Sequence, residues 1–153
     1  MKMLTSLESL YWQSYLRTAP EAAGFLVEAK MAGSPGIADV LLGLFLSGRK
    51  TAGSSLVEDY LSAGDPLPSV GRHWIVLDAR GTPSCILRTE RVERQKFRDI
   101  PDRVAIAEGE GDLSLEHWRK IHSEFFKPFL HGWGLKHIEQ ATVLTEFFRF
   151  VHR

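Results

Sequence analysis

Two glycine-laced polar stretches interrupt this 153-residue chain and limit what it can fold into. Gly48-Arg49-Lys50-Thr51-Ala52-Gly53-Ser54-Ser55 gathers a lysine and hydroxyls among glycines, directly after an apolar segment. Glu108-Gly109-Glu110-Gly111-Asp112 strings three acidic residues between glycines, just ahead of another amphipathic segment. Neither composition builds a core, so the core must come from the segments around them. If folding brings the two together, they make a small polar pocket holding a cation, hydroxyls and carboxylates.

The length suits one domain, and 44% hydrophobic with 25% charged residues is the make-up of an ordinary globular protein. Nineteen basic and 19 acidic residues give a formal net charge of zero, which argues against tight, indiscriminate nucleic-acid binding but leaves room for a local basic patch. Cys85 is the only cysteine and cannot form an internal disulfide, so a reducing cytoplasm is the expected compartment. Met1-Lys2-Met3-Leu4 is followed by no long apolar run, and neither a signal peptide nor a transmembrane helix is expected.

Leu4, Leu7, Leu10, Tyr11 and Tyr15 lie near helical spacing up to the break at Pro20. A second short helix is expected from Glu21 to Lys30, followed by a loop at Gly33-Ser34-Pro35-Gly36. Ile37, Val40, Leu41, Leu44 and Phe45 form a helical stripe that Gly48 ends as a left-handed cap, delivering Arg49 and Lys50 to the negative end of the helix dipole. Pro66 and Pro68 exclude a helix around Gly64–Pro68. Trp74–Leu77 and Ser84–Thr89 read as a hairpin across Asp78-Ala79-Arg80-Gly81. Leu115, Trp118, His122 and Phe125 stripe the next helix, which Asp112 or Ser114 can cap, and Ala141–Val151 closes the sheet. One α+β domain is the expected fold class.

Several familiar motifs fail on spacing. Gly43 to Thr51 approaches a phosphate-binding loop, but Arg49 separates the second glycine from the lysine and the segment reads as helix. Glu108, Glu110 and Asp112 imitate a calcium loop, but Leu113 replaces the required glycine and Arg119 the acidic last ligand. His117 and His122 sit about 140° apart around a helix, no His-Glu-x-x-His occurs, and one cysteine makes no thiolate zinc site. No metal or cofactor is expected. On the apolar stripe, His122 and Trp118 read as core residues, and Cys85 as a packed thiol. No Gly-x-Ser-x-Gly elbow is present.

Two segments keep chemical interest. Lys50 near carboxylates stays charged and can orient an anion or oxyanion; desolvated, it can serve as a base. Thr51, Ser54 and Ser55 offer hydroxyls that need a neighbouring base, and Glu110 can be that base or a proton shuttle. The plainer reading is a capped helix end beside a solvated acidic turn.

The runs Gly48 to Leu56, Leu67-Pro68-Ser69-Val70-Gly71, Val76-Leu77-Asp78, Cys85 to Val92, and above all Glu108 to Arg119 with His122 and Phe126, resemble the ASCH domain family. The likeness runs from about Ile37 to Phe150, and Tyr11-Trp12 with the segment before Ile37 suits the family's longer, bacterial-type members. The resemblance implies a PUA-like small mixed β-barrel flanked by helices. Residues 1–36 would be an N-terminal helical extension packed on an ASCH domain at 37–153, in one globular unit. It also implies a cleft for a nucleoside, nucleotide or RNA base; no membrane and no protein partner are expected. Some members are amidohydrolases acting on N4-acetylcytidine, and others have been assigned ribonuclease activity. Their amidohydrolase set of lysine, threonine and glutamate maps to Lys50, position 53 and Glu110. Position 53 is Gly53, so the family's hydroxyl is missing: Ser54 or Thr51 would replace it, or water would attack directly with Glu110 as base and Lys50 stabilising the oxyanion.

Three readings follow from that resemblance. A metal-independent hydrolase would use Lys50, Glu110, Ser54 and Thr51 catalytically, with Arg49, Ser55, Arg88, Glu108 and Asp112 binding substrate. A ribonuclease would draw on Arg88, Arg91, Arg94, Lys96 and Arg98, diluted by Glu90, Glu93 and Asp99. A noncatalytic RNA- or nucleotide-binding module would use the same cleft, with Trp74 available for stacking but better suited to packing.

Overall fold

The computed structural model describes residues 2–153. Met1, which opens the stretch where no signal peptide is expected, lies outside them. The described residues form two compact units, each with its own buried apolar residues. No helix among them is long and apolar enough to cross a membrane.

The first unit comprises the chain through Gly48, Ser69–Glu90 and Phe148–Arg153. Its helix α1 (Ser6–Leu16) opens with a capping box in which Glu8 N donates to Thr5 Oγ1 (3.2 Å) and Thr5 N to Glu8 Oε2 (3.1 Å). Two amides that helix geometry leaves without partners are thereby satisfied. Trp12 and Tyr15 of α1 are buried with Ile75 and Ile86, while Leu41, Leu42 and Phe45 of α2 (Ala38–Leu46) are buried with Val76, Cys85 and Leu87. Ile75 and Val76 are neighbours on β3 (His73–Leu77), so this strand is covered on both faces. That is why its sequence is an unbroken apolar run rather than an alternating one. It pairs antiparallel with β4 (Pro83–Lys96), as the expected hairpin.

The helix expected from Glu21 to Lys30 is not there. Pro20–Gly24 is a 3-10 turn, and Val27–Met31 forms strand β1, paired in parallel with β3 so that Val27 faces His73. Glu28, Ala29 and Lys30 favour helices, but Val27 and Ala29 alternate into the α1 cluster and the ladder to β3 takes up the backbone polar groups.

The second unit comprises Arg49–Pro68 and Arg91–Phe147. Strand β2 (Ala52–Leu56) leads into α3 (Val57–Ala63), and pairs antiparallel with β5 (Thr142–His152), with Gly53 opposite Glu146 and Ser54 opposite Thr145. Two helices complete it, α4 (Asp102–Glu108) and α5 (Leu115–Phe126). Ser114 is the residue that caps α5, its Oγ accepting from His117 N (3.0 Å). The buried stripe of α5 runs through Trp118 and Phe126, leaving Phe125 exposed. Leu56, Phe97, Val104, Trp118, Phe126 and Val143 form the centre of this unit's core.

In the first unit β3 lies between β1 and β4, and in the second β2 pairs with β5. The class is mixed α+β with an N-terminal helix, as expected from the sequence.

Candidate functional site

The second unit joins the two polar stretches through their backbones. Thr51 N and Thr51 Oγ1 both donate to Ala107 O, at 2.7 and 3.2 Å. Ala107 is in the last turn of α4, where carbonyls lack helical partners, so β2 begins where α4 ends. Gly109 then caps α4 in the left-handed conformation, at φ 69°. A Cβ there would stand 2.2 Å from Arg49 O and 2.6 Å from Arg49 C. Only glycine permits both this backbone angle and this approach. The glycine of the acidic stretch is therefore what brings its glutamates to Lys50.

Glu108 and Glu110 flank that contact and both reach Lys50. Lys50 Nζ donates to Glu110 Oε2 at 2.8 Å, to Glu108 Oε1 at 3.2 Å and to Glu108 O at 3.3 Å. The two carboxylates differ in environment: the Glu108 side chain is 2% exposed and that of Glu110 23%. Glu108 Oε2 accepts from Ser54 Oγ (2.8 Å) and from Trp118 Nε1, and lies 3.6 Å from His122 Nε2. Ser54 Oγ is also 3.1 Å from Thr145 Oγ1, its cross-strand neighbour on β5. His122 stacks on Trp118 with ring centroids 4.1 Å apart and 19° between planes, and its Nδ1 lies 2.8 Å from Trp118 O.

Burial acts to raise the pKa of Glu108, but the charges of His122 and Lys50 and the hydrogen bonds from His122 and Trp118 outweigh it. The carboxyl is held well below the usual range. For His122 burial acts to lower the pKa, while the Glu108 carboxylate and its hydrogen bond, helped by the Trp118 carbonyl, raise it above the ordinary value. Glu108 is thus a buried anion with Lys50 at one oxygen and His122 at the other.

Glu108, Glu110, His117, Trp118, Ile121 and His122 line a small open pocket together with Ala105 and Ser114. Ionisable groups meet an apolar wall here. Among the described residues, no three His, Cys, Asp or Glu side chains are grouped to hold a metal ion.

Of the residues singled out in the sequence, Lys50, Glu108, Glu110 and Ser54 meet in this cluster. Thr51 is spent on Ala107 O, and Ser55 Oγ accepts from Tyr60 Oη at 3.0 Å. Asp112 is exposed and accepts from Ser114 N at 2.9 Å; hydrogen bonds from Ser114 lower its pKa. Arg49 is exposed. Arg88 belongs to the first unit, 3.8 Å from Glu90 and over the Phe25 ring. Trp74 donates from Nε1 to Lys30 O and packs edge-on against Phe45 and Phe148. Residues on alternate sides of a strand point apart, so position 53 faces away from Ser54 and from Glu108.

The sequence marks His122 and Trp118 as core residues and gives no sign of Thr145. Trp118 and His122 do occupy the buried stripe, yet their nitrogens turn to Glu108. The four-residue spacing that stacks them is visible in the chain, but the carboxylate they serve comes from another helix. Thr145 becomes a neighbour of Ser54 only through the β2–β5 register.

Fold and site together define a mixed α+β domain carrying a lysine–carboxylate pocket. The model of the ASCH domain family matches residues 28–152, and the chain belongs to that family. It is similar over its full length to an ASCH domain from Lactobacillus crispatus JV V101, with 28% identity, 100% of this chain and 99% of that one covered, and a TM-score of 0.89. It is also similar to a protein from Enterococcus faecalis V583, with 29% identity, 94% and 87% coverage and a TM-score of 0.83. Comparison with curated proteins finds no match.

Proposed function

We propose that the pocket beside Lys50 and Glu110 binds a nucleotide, a modified nucleoside or an RNA base, and that it hydrolyses an acyl amide such as that of N4-acetylcytidine without a metal. The observation that carries this reading is the placement of Lys50 Nζ between a buried carboxylate and one that faces an open pocket. Water adds to the acyl carbonyl as Glu110 takes its proton, and the oxygen that gains negative charge is met by Lys50. The C–N bond then breaks, the proton passes from Glu110 to the departing nitrogen, and a carboxylic acid and a free amine leave.

Ser54 is the less suitable nucleophile. Its hydroxyl donates to Glu108, whose depressed pKa makes it a poor proton acceptor. Water activated by Glu110 also dispenses with the hydroxyl missing at Gly53. Purified protein should release cytidine from N4-acetylcytidine, and Lys50→Ala and Glu110→Gln should each abolish it; turnover surviving in both variants would sink this assignment.

One observation favours binding without turnover: Lys50 Nζ already donates to three oxygens. Saturable N4-acetylcytidine binding with no product would decide for that reading. A ribonuclease has less support, because members of its basic track are tied to acids, with Arg88 3.8 Å from Glu90 and Arg91 3.1 Å from Glu93.

A further inference from the structure

His122 differs from an ordinary packed histidine in what its two nitrogens face. Nδ1 is 2.8 Å from Trp118 O, and Nε2 is 3.6 Å from Glu108 Oε2. A carbonyl oxygen has no hydrogen to give, so Nδ1 carries a proton. A neutral ring would then aim the Nε2 lone pair at a carboxylate oxygen. A proton on both nitrogens removes that repulsion, and the near-parallel Trp118 face adds a cation–π contact. The charged groups around the ring are Glu108 from α4, Glu110 from the turn beyond it, and Lys50 from the segment before β2 on the far oxygen of Glu108. His117, on the same helix, lines the same pocket.

The two cations divide the buried anion between them, Lys50 on Oε1 and His122 on Oε2. A buried carboxylate without a counter-charge is strongly unfavourable. When His122 is charged, Glu108 keeps one cation even if Lys50 moves. When it is neutral, Lys50 is the remaining counter-charge and is held down on Glu108.

We propose that His122 is a positioning residue for Lys50, whose protonation frees the lysine to engage a ligand beside Glu110 and whose deprotonation locks it onto Glu108. Ligand engagement is then switched off as pH rises through the His122 titration, and this deepens the function proposed above, on which its ligand-binding arm rests. The neutral and charged forms differ at the pocket wall itself, so no large movement is needed.

The test separates the two ideas. In ligand-free wild-type protein, NMR should show His122 titrating above the ordinary histidine range, with the Lys50 Nζ resonance shifting at the same midpoint. In His122→Gln, which lacks the charge, the Lys50 shift at that midpoint should vanish. With N4-acetylcytidine as the probe, wild-type affinity should fall about tenfold across the transition, a 1.4 kcal/mol change, and His122→Gln should sit at the weak, high-pH level throughout. A His122 midpoint at or below the ordinary value, or a Lys50 resonance indifferent to it, overturns the proposal even if the protein turns over its substrate. Failure to bind N4-acetylcytidine at any pH counts against the proposed function and leaves the ligand-free titration to decide for or against the coupling.

Discussion

Glu108 Oε1 lies 3.2 Å from Lys50 Nζ, with both side chains almost wholly shielded from water. A pair of this kind contributes little net stability beside a well-packed apolar pair, but removing one member leaves the other buried and uncompensated. Glu108→Ala leaves Lys50, His122, Ser54 and Trp118 all without their shared acceptor. It should cost about 3–5 kcal/mol in urea unfolding. A loss below about 1 kcal/mol, the range of an exposed pair, would contradict the hub role of this carboxylate.

The Gly109 contact makes a sharper prediction because a second glycine serves as control. Gly48 also has positive φ, at 80°, yet a Cβ there meets nothing within 4 Å. Gly48→Ala should cost about 1–2 kcal/mol, the backbone term alone. Gly109→Ala adds a clash with Arg49 O and should cost about 3 kcal/mol or more. Equal losses for the two variants, measured by thermal or urea unfolding, would show that the backbone crossing is not tight.

The two shifted pKa values act at opposite ends of the pH scale. Glu108 has a lowered folded-state pKa, so its contribution is complete above the unfolded value of about 4.3 and is lost as pH falls through the depressed folded value. His122 has a raised folded-state pKa, so its contribution is complete below about 6.5 and is lost as pH rises through the folded value. Unfolding free energy should therefore decline as pH rises above about 6.5 and through the raised folded-state value of His122. The decline should shrink in His122→Gln, when both proteins are followed by urea unfolding across that range.

Strand alternation decides what a hydroxyl at position 53 can do. Gly53→Thr places its side chain away from Glu108, so N4-acetylcytidine kcat/KM should stay within about twofold, under 0.5 kcal/mol of barrier. A large gain would mean that the missing family hydroxyl limits this protein and that β2 twists enough to deliver it.

Cys85 is fully buried, and burial pushes its thiol up to about 12. It should resist alkylation in the native protein at about pH 8 and react once urea unfolds it. Fast native reaction would place it nearer solvent than its packing with Val76 and Leu87 allows.

Local pattern was enough for some parts of the fold and not for others. The stripe of α2, the hairpin of β3 and β4, and the Ser114-capped α5 announce themselves by period, turn residues and caps. β1 did not, because Glu28, Ala29 and Lys30 suit a helix and only pairing with β3 makes them a strand. The five-residue β2 and seven-residue α4 are too short to display a period. In the site, the composition of the two polar stretches singled out Lys50, Ser54, Glu108 and Glu110. It equally suggested Thr51, Ser55 and Asp112, which the structure employs in backbone contacts, a tyrosine contact and a turn.

By itself the sequence determined that Lys50 follows a helix end, that Gly109 separates two glutamates, and that the chain carries the ASCH pattern. Those are properties of neighbours along the chain, written in residue types and spacing. Only the tertiary structure decided that Glu108 is the buried carboxylate and Glu110 the accessible one, because burial depends on what α5 lays over each. It also turned His122 from a core residue into a partner of Glu108, through a contact between side chains from separate helices. A one-dimensional pattern can say which groups are available; the charge each one holds is set by the neighbours that folding supplies.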